Sequence, residues 1–307
     1  MKYYHGTGQN NSYFEGWYLK YQTKGGKVLA LIPALHIDGT GQRSISLQVL
    51  TDCASWWLEY PEEEFRASQS RFHVRVGENT FCDEETQLHV ERDGLSLHGT
   101  LYHGPFIPLT SVILGPFRFF AGMECAHGVI SMGHLLNGTL TLNGEDMDFT
   151  GGTGYVETDR GRSFPGTYLW TQCVWRKPQR GSLMLSIATI PLPIGHFTGC
   201  ICAVIHNGRE YRLATYRGVR IEQWSSTGAV IRQGTYRLSV EVLEKRGHPL
   251  RAPVDGVMGR TIHESLRARL RYCFWSGGDL LFEHTDDCAS FEYADQPPTA
   301  HDSPKNM

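Results

Sequence analysis

The sequence lacks the features that define several large classes of protein. No apolar run approaches the roughly 20 residues that a membrane-spanning helix needs, so we predict no transmembrane segment. The formal net charge is only -3 at pH 7, which gives no strong positive field to attract nucleic acid. The opening residues lack the apolar stretch of a secretory signal, so we expect a cytoplasmic protein. Peripheral contact with a membrane and the oligomeric state stay open.

Motifs for cofactors and metals are also lacking. The chain has no nucleophile elbow, no phosphate-cradling glycine loop and no dinucleotide fingerprint in a suitable context. Its eight cysteines are scattered and form no paired C-x-x-C elements. Cys200 and Cys202 lie on one face of a strand-like run, but no two further ligands accompany them. We therefore predict reduced, buried thiols, no metal and no cofactor.

The chain is rich in residues typical of strands. It has 34 glycines, 40% hydrophobic residues and 11% aromatic residues, which favours an all-β protein. Alternation of apolar and polar residues predicts strands at residues 43–49, 71–76, 95–101 and 236–242. Asp93-Gly94 and Asn207-Gly208 each predict a tight hairpin turn.

In residues 264–272, the alternation of apolar and polar residues predicts a strand, whereas the helix propensity of the residues predicts a helix. Their composition is typical of a helix, but apolar residues alternate strictly with Arg267, Arg269 and Arg271. We therefore predict a strand with an arginine face. A solvated sheet surface is favoured over an anion site for that face.

Two successive blocks of strands, each near 150 residues, suggest the domain organisation. Blocks of this size predict two lipocalin-like antiparallel β-barrels or sandwiches packed side by side. We assign residues 1–155 to the first barrel and 156–295 to the second. Residues 296–307 are polar and proline-rich, so we expect a disordered tail.

The segment from Gly151 to Pro165 concentrates glycines, acids and aromatic residues at the midpoint of the chain. In an extended backbone, Tyr155, Glu157 and Asp159 point to one face. Two carboxyls at that spacing lie roughly 7 Å apart. In a dry pocket, burial and mutual repulsion would raise the pKa of at least one of them. A carboxylic acid that keeps its proton near neutral pH can serve as a proton donor.

Several motifs together resemble the tocopherol cyclase-like family, including its bacterial members of unknown substrate. The motifs occupy residues 12–20, 119–134, 154–165 and 170–172, and the similarity runs from about Ser12 to Glu292. The resemblance implies a lipocalin-like pair of β-barrels. It also implies closure of a chroman ring on a prenylated quinol, as in the plant and cyanobacterial members.

One departure from the family pattern lies in the central motif. Arg160 stands where the family usually has tryptophan between the aspartate and the glycine. An arginine would lower the pKa of a neighbouring carboxyl, which is the wrong direction for a strong proton donor.

Ring closure of this kind needs an acid that protonates an alkene, exclusion of water, and aromatic faces beside the cation. The candidate catalytic residues are Asp159, Glu157, Glu15, Glu124 and His127. The candidate substrate-binding residues are Trp17, Tyr18, Tyr155, Trp170 and Gln172. Alternative interpretations are an arginine ion pair for the central acids and core packing for each aromatic residue. Glu124, His127 and His134 could relay a proton or bind a metal, but a buried, hydrogen-bonded histidine is favoured.

Three functions fit these observations. The first is an enzyme that binds an apolar isoprenoid or aromatic small molecule and cyclises, hydrates or isomerises it by alkene protonation. The second is a carrier that holds a hydrophobic ligand without chemistry. The third is a structural or protein-binding β protein.

Overall fold

The computed structural model describes residues 2–120, 123–177, 179–191 and 195–295. These residues form two antiparallel sheets and three short 3-10 turns, so the predicted all-β fold is confirmed. The turns are Glu62–Glu64, Gly115–Phe119 and Thr215–Arg217. Within this part of the chain, no helix is long and apolar enough to cross a membrane.

The first sheet contains β1 (Tyr13–Gln22), β2 (Val28–Ile37), β3 (Arg43–Thr51), β4 (Ser55–Tyr60), β5 (Phe65–Ala67), β6 (His73–Val76), β7 (Asn79–Cys82), β8 (Glu85–Arg92), β9 (Leu95–His103), β10 (Cys125–Leu142), β11 (Glu145–Asp148) and β12 (Thr153–Gly161). Its order is β4-β3-β2-β1-β12-β10-β9-β8-β7-β6-β5, with β11 paired to β10. Leu58 and Phe65, from the two ends of this order, share one apolar core. The sheet therefore curls around its own interior.

The second sheet contains β13 (Thr167–Trp175), β14 (Gly181–Pro191), β15 (His196–His206), β16 (Arg209–Ala214), β17 (Arg220–Ser225), β18 (Gly228–Gln233), β19 (Tyr236–Glu244), β20 (His248–Val254), β21 (Val257–Ser276) and β22 (Asp279–Asp295). Its order is β16-β15-β14-β13-β22-β21-β19-β18-β17, with β20 paired to β21. Leu213 of β16 and Ile221 of β17 pack in one core, so this sheet also closes on itself. The two curled sheets match the lipocalin-like pair that the sequence predicts.

The predicted strand at residues 264–272 lies within β21. Its three arginines are exposed and the apolar residues between them are buried. The arginines form surface ion pairs with Asp52, Asp287 and Glu241, so the face is a solvated sheet surface.

Both predicted hairpin turns are present. Asp93 and Gly94 have φ angles of 54° and 75°, and Asn207 and Gly208 have 51° and 73°. Two consecutive positive φ angles are typical of the tight turn that matches the twist of antiparallel strands.

A third apolar core joins the two sheets. It contains Tyr18, Val129 and Tyr155 from the first sheet and Trp170 and Leu266 from the second. The chain passes from one sheet to the other between β12 and β13, later than the predicted division after residue 155. The predicted tail, 296–307, lies outside the described residues.

All eight cysteines are free, as predicted. The prediction that they are buried holds for five of them, whereas Cys53 is exposed and Cys125 and Cys273 are half-buried. Cys53 is exposed because it lies in the turn between β3 and β4, at the edge of the sheet.

Candidate active site between the two sheets

A cavity of about 170 Å³ lies between the sheets, beside the third core. Strands of both sheets contribute to its wall, and most of the lining side chains are apolar. Aromatic and sulfur-containing members of the lining include Phe14, Phe117, Phe164, Trp170, Phe197 and Met258. Small residues also lie in the wall: a Cβ atom on Gly16 would approach the Cβ of Ala34 to 3.3 Å. The site is therefore apolar and suited to a hydrophobic ligand.

The alternation of β12 brings the central acids to this cavity. Glu157 and Asp159 both line it, and Tyr155 lies on the same face behind them. β10 runs antiparallel to β12, and His127 lies directly across from Asp159 in the ladder. Directly opposed residues bring their side chains together, so His127 reaches both acids.

His127 bridges the two carboxyls. Its Nδ1 is 3.0 Å from Oδ1 of Asp159, and its Nε2 is 3.4 Å from Oε2 of Glu157. The Tyr155 hydroxyl donates a hydrogen bond of 2.5 Å to the same oxygen of Glu157. The Cys125 thiol lies 3.5 Å from Oδ1 of Asp159. We call His127, Glu157 and Asp159 the proton-sharing cluster.

Burial determines where this cluster holds its protons. Burial raises the pKa of Glu157 to about 8, against the opposing effect of His127. Burial also opposes a charge on His127, but Asp159 and Glu157 outweigh it and raise the pKa of His127 to about 9. At neutral pH we therefore assign an imidazolium to His127, paired with Asp159, and a bound proton to Glu157.

Arg160 does not neutralise the central acids. Its side chain is on the strand face opposite to Asp159, and within the described ranges it forms no ion pair with Glu157 or Asp159. The expected lowering of a carboxyl pKa by Arg160 is absent from Glu157, whose pKa is raised. Alternation of side chains along β12 explains the difference, because adjacent residues point to opposite faces.

A second acidic group lines the cavity from the other sheet. The Tyr168 hydroxyl donates a 2.7 Å hydrogen bond to Oε2 of Glu292, and both residues line the cavity. Burial raises the pKa of Glu292 well above its usual range, and the nearby carboxyls of Glu264, Glu157 and Asp159 raise it further.

A buried polar network lies next to Glu292, across β21 and β22. The Tyr18 hydroxyl donates to Glu264 and is 2.9 Å from the Ser290 hydroxyl. Lys20 donates to the carbonyl of Cys288 at 2.5 Å. Burial raises the pKa of Glu264 to about 7 and lowers that of Lys20. These contacts link β1 to the second sheet next to the cavity, which Tyr18 also lines.

The predicted aromatic residues divide between the cavity and the cores. Tyr18 and Trp170 line the cavity, and Tyr155 holds Glu157. Trp17 is fully buried in the core of the first sheet, because it lies on the face of β1 opposite to Tyr18. Gln172 is buried but does not line the cavity.

Two predicted acids lie away from the cavity. Glu15 is fully buried and accepts hydrogen bonds from the Tyr13 hydroxyl and from the backbone and ring of His5. Glu124 precedes β10, and its backbone carbonyl accepts the amide of Arg162 at 2.7 Å. The structure gives both residues positions in the framework, outside the cavity lining.

His134 does not join Glu124 and His127. It hydrogen-bonds to Ser131 and packs 4.4 Å from the ring of Phe106. Burial lowers the pKa of His134 well below its usual range, so it is a neutral, buried histidine. The favoured interpretation of this histidine is therefore confirmed.

Only the proton-sharing cluster has metal-ligating atoms close together, among the described residues. One atom from each of its three members lies within 4.8 Å of the others. His127 and the two carboxyls already compensate one another's charge, as they would without an ion.

The sequence reasoning assigned no role to Glu292 or Tyr168. Tyr168 stands two positions before Trp170, so the alternation of β13 could have placed both on one face. Glu292 is contributed by the last strand of the second sheet. It lies beside Trp170 because β22 pairs with β13. No local pattern in the sequence predicts that pairing.

The fold and the site define an all-β protein of two lipocalin-like sheets with an acid-bearing apolar cavity between them. No protein-family model and no curated protein matches the sequence. Solved structures do match the fold. An ATTH candidate from Nitrosomonas europaea has a TM-score of 0.53 at 12% identity, over 92% of each chain.

Two further structures share the fold. Kievitone hydratase from Nectria haematococca has a TM-score of 0.50 at 9% identity, over 92% of this chain and 89% of that one. CghA, solved with and without Sch210972, has a TM-score of 0.57 at 11% to 12% identity, over 93% and 89%. Likeness at these identities shows a common fold. The narrower resemblance to the tocopherol cyclase-like family stays a hypothesis.

Proposed function

We propose that the protein is an enzyme that protonates an alkene in an apolar isoprenoid or prenylated aromatic molecule. The observation that carries this proposal is a proton-sharing cluster that opens on an apolar cavity. A carboxylic acid surrounded by apolar side chains holds its proton at neutral pH and releases it only to a bound partner. Within the cluster, Glu157 is the proposed proton donor.

The reaction balances as an addition or a rearrangement. The Glu157 O–H bond breaks, and its proton bonds to the less substituted alkene carbon to leave a tertiary cation. A hydroxyl of the substrate or a water molecule then forms a C–O bond, and its proton returns to Glu157. Loss of a neighbouring C–H proton gives isomerisation instead. While Glu157 is ionised, the positive charge of His127, which is held by Asp159, stabilises the Glu157 carboxylate.

Aromatic side chains beside the cluster supply the second requirement. Phe14 and Phe164 pack edge to face at 5.4 Å between ring centroids, and Tyr168 follows at 6.2 Å. Together with Trp170, these rings line the cavity. Each ring face can contribute roughly 1–2 kcal/mol toward a desolvated cation.

The structural neighbours give this proposal modest support. One of them is named a hydratase, and adding water to an alkene is among the outcomes of the proposed step. Because identity is low, this support extends only to the architecture in which such chemistry can be housed.

A turnover assay in heavy water tests the proposal. Wild-type protein is incubated with 2-geranyl-1,4-benzenediol, and products are followed by liquid chromatography with mass detection. We expect a chroman, a hydrate or an alkene isomer that carries one deuterium on carbon. Glu157→Gln and Asp159→Asn should each lower turnover at least 100-fold and leave binding of the quinol within about threefold.

Glu145→Gln is the matched control, because Glu145 is exposed at the surface and should leave turnover unchanged. Full activity in both cluster variants would exclude the cluster as the acid. Tight binding of the quinol without any product would favour the carrier function, which the apolar lining also suits.

A further inference from the structure

Glu292 is a buried carboxyl that the proposed proton transfer does not use. It is 8% exposed and lines the cavity from the second sheet. Its Oε2 accepts the Tyr168 hydroxyl at 2.7 Å. Its other oxygen, Oε1, accepts no hydrogen bond from any of the residues that the structure describes. A polar oxygen is therefore available to a ligand in an otherwise apolar wall.

The surroundings of Glu292 favour its neutral form. Glu264 lies beside it in the ladder between β21 and β22, and Glu157 and Asp159 also face it. Two cations belong to this side of the cavity: Arg260 donates to the backbone carbonyls of Pro165 and Gly166, and Arg251 lies over the ring of Trp57. Burial and like charges thus both keep a proton on the Glu292 carboxyl.

We propose that Glu292, oriented by Tyr168, is a hydrogen-bond donor site for a ligand oxygen, and that the natural ligand carries a carbonyl or comparable acceptor. With Oε2 occupied by Tyr168, the carboxyl proton belongs on Oε1. The Tyr168 hydroxyl, the carboxyl group and the ligand oxygen form one chain of donors and acceptors. Such chains strengthen their members, particularly where the local dielectric is low.

The cost of an empty donor supports a polar ligand. A hydrogen-bond donor in an apolar cavity is destabilising while it lacks a partner, and a ligand carbonyl would remove that penalty. A plain hydrocarbon would leave it in place. Trp170 lies directly across from Glu292 in the β13–β22 ladder and also lines the cavity. This wall therefore presents a carboxyl donor on the opposite side of the cavity from the proton-sharing cluster.

This inference deepens the proposed function, because it rests on the same cavity and the same ligand. The first sheet would supply the proton to the alkene, and the second would hold an oxygen at the other part of the molecule. It names the substrate class more narrowly, as an apolar alkene that also bears an oxygen acceptor.

Two small probes of matched shape test it. Acetophenone carries a carbonyl where ethylbenzene carries a methylene group. Titration of the full-length protein with each, followed by ligand-observed NMR, gives the ratio of the two affinities. Infrared spectra of carbonyl-labelled acetophenone report whether the bound carbonyl accepts a hydrogen bond.

We expect Glu292→Met to lower the acetophenone-to-ethylbenzene affinity ratio about fivefold to tenfold and to return the carbonyl frequency to its value in hexane. Glu292→Gln should keep part of the effect, because its amide still donates. Raising the pH of the wild type until Glu292 ionises should remove the effect. Glu15→Gln is the control, because Glu15 is a buried carboxyl that also accepts a tyrosine hydroxyl but lies outside the cavity lining.

An unchanged ratio and frequency in Glu292→Met would overturn the proposal, as would an equal loss in Glu15→Gln. If Glu292→Met does not fold, Glu292→Gln and the pH series of the wild type decide. Glu157→Gln should leave the ratio unchanged and still abolish turnover of the quinol. Failure of the acid chemistry and failure of the donor site are therefore separate results, and binding of neither probe would overturn the donor site alone.

Discussion

At the scale of single residues, Glu157 is an acid in surroundings that favour its uncharged form. It is 4% exposed, it accepts the neutral hydroxyl of Tyr155, and the cation that it contacts among the described residues is His127. His127 also forms an ion pair with Asp159. The free energy of the cluster therefore depends on how many protons its three groups share.

Stability should fall as the pH rises through the range in which this cluster loses protons. Glu157 ordinarily ionises near pH 4.5, but its folded-state pKa is about 8, so the native state binds more protons than the unfolded state between these values. His127, with a folded pKa of about 9, acts in the same direction at higher pH. We expect the free energy of unfolding to drop by several kcal/mol between pH 5 and pH 9, and by less in Glu157→Gln. Urea unfolding across that range measures both, and identical pH profiles would contradict the prediction.

The period-two pattern predicted that Glu157 and Asp159 share a face, and His127 was a candidate from its spacing to Glu124. The contact between them was not predictable. It depends on the pairing of β10 with β12, and a register shift between Val129 and Ser131 adjusts that ladder. Sequence patterns specify which face a residue occupies, but not which strand lies alongside.

At the scale of elements, one face of β1 contributes to the stability of the first sheet and the other face contributes to the ligand cavity. Trp17, Leu19 and Tyr21 point into the core of the first sheet, whereas Gly16 and Tyr18 line the cavity. The alternation of any strand predicts this division. Trp17 and Tyr18 were both candidates because aromatic faces can stabilise a cation, and for Trp17 the structure agrees with the alternative interpretation, core packing.

Variants on the two faces of β1 should behave differently. Trp17→Ala should lower the free energy of unfolding by about 3–5 kcal/mol, because it leaves a large void in a packed core. Tyr18→Phe should cost about 1–3 kcal/mol by leaving Glu264 without its donor, and it should alter ligand affinity. Chemical denaturation and acetophenone titration separate the two effects. A change in the affinity of fully folded Trp17→Ala beyond twofold would contradict this division.

At the scale of the whole molecule, the two sheets are held together by apolar packing and by buried polar contacts. Lys20 of β1 bonds to the carbonyl of Cys288 on β22. Arg212 of β16 donates to the carbonyls of Ser111 and Val112, in the segment that precedes β10. The two successive blocks of strands in the sequence predicted two sheets. The joining contacts depend on residues far apart in the chain, which explains why local patterns did not reveal them.

We expect the two sheets to unfold as one unit. Leu266 is 1% exposed in the third core, so Leu266→Ala should cost about 2–5 kcal/mol. Hydrogen exchange followed by mass spectrometry should show faster opening of core strands in both sheets, by the same factor. Faster exchange confined to the second sheet would show that the sheets unfold independently.

The third core also bears on how proteins of this architecture can diversify. The interiors of the two sheets are complete without it, so a substitution beside the cavity can change what the cavity admits and leave each sheet's interior intact. New specificities can then arise through few mutations that fold normally. A fold that tolerates such substitutions is expected to occur in proteins of low sequence identity, and the proteins that share this fold are only 9% to 12% identical to this chain.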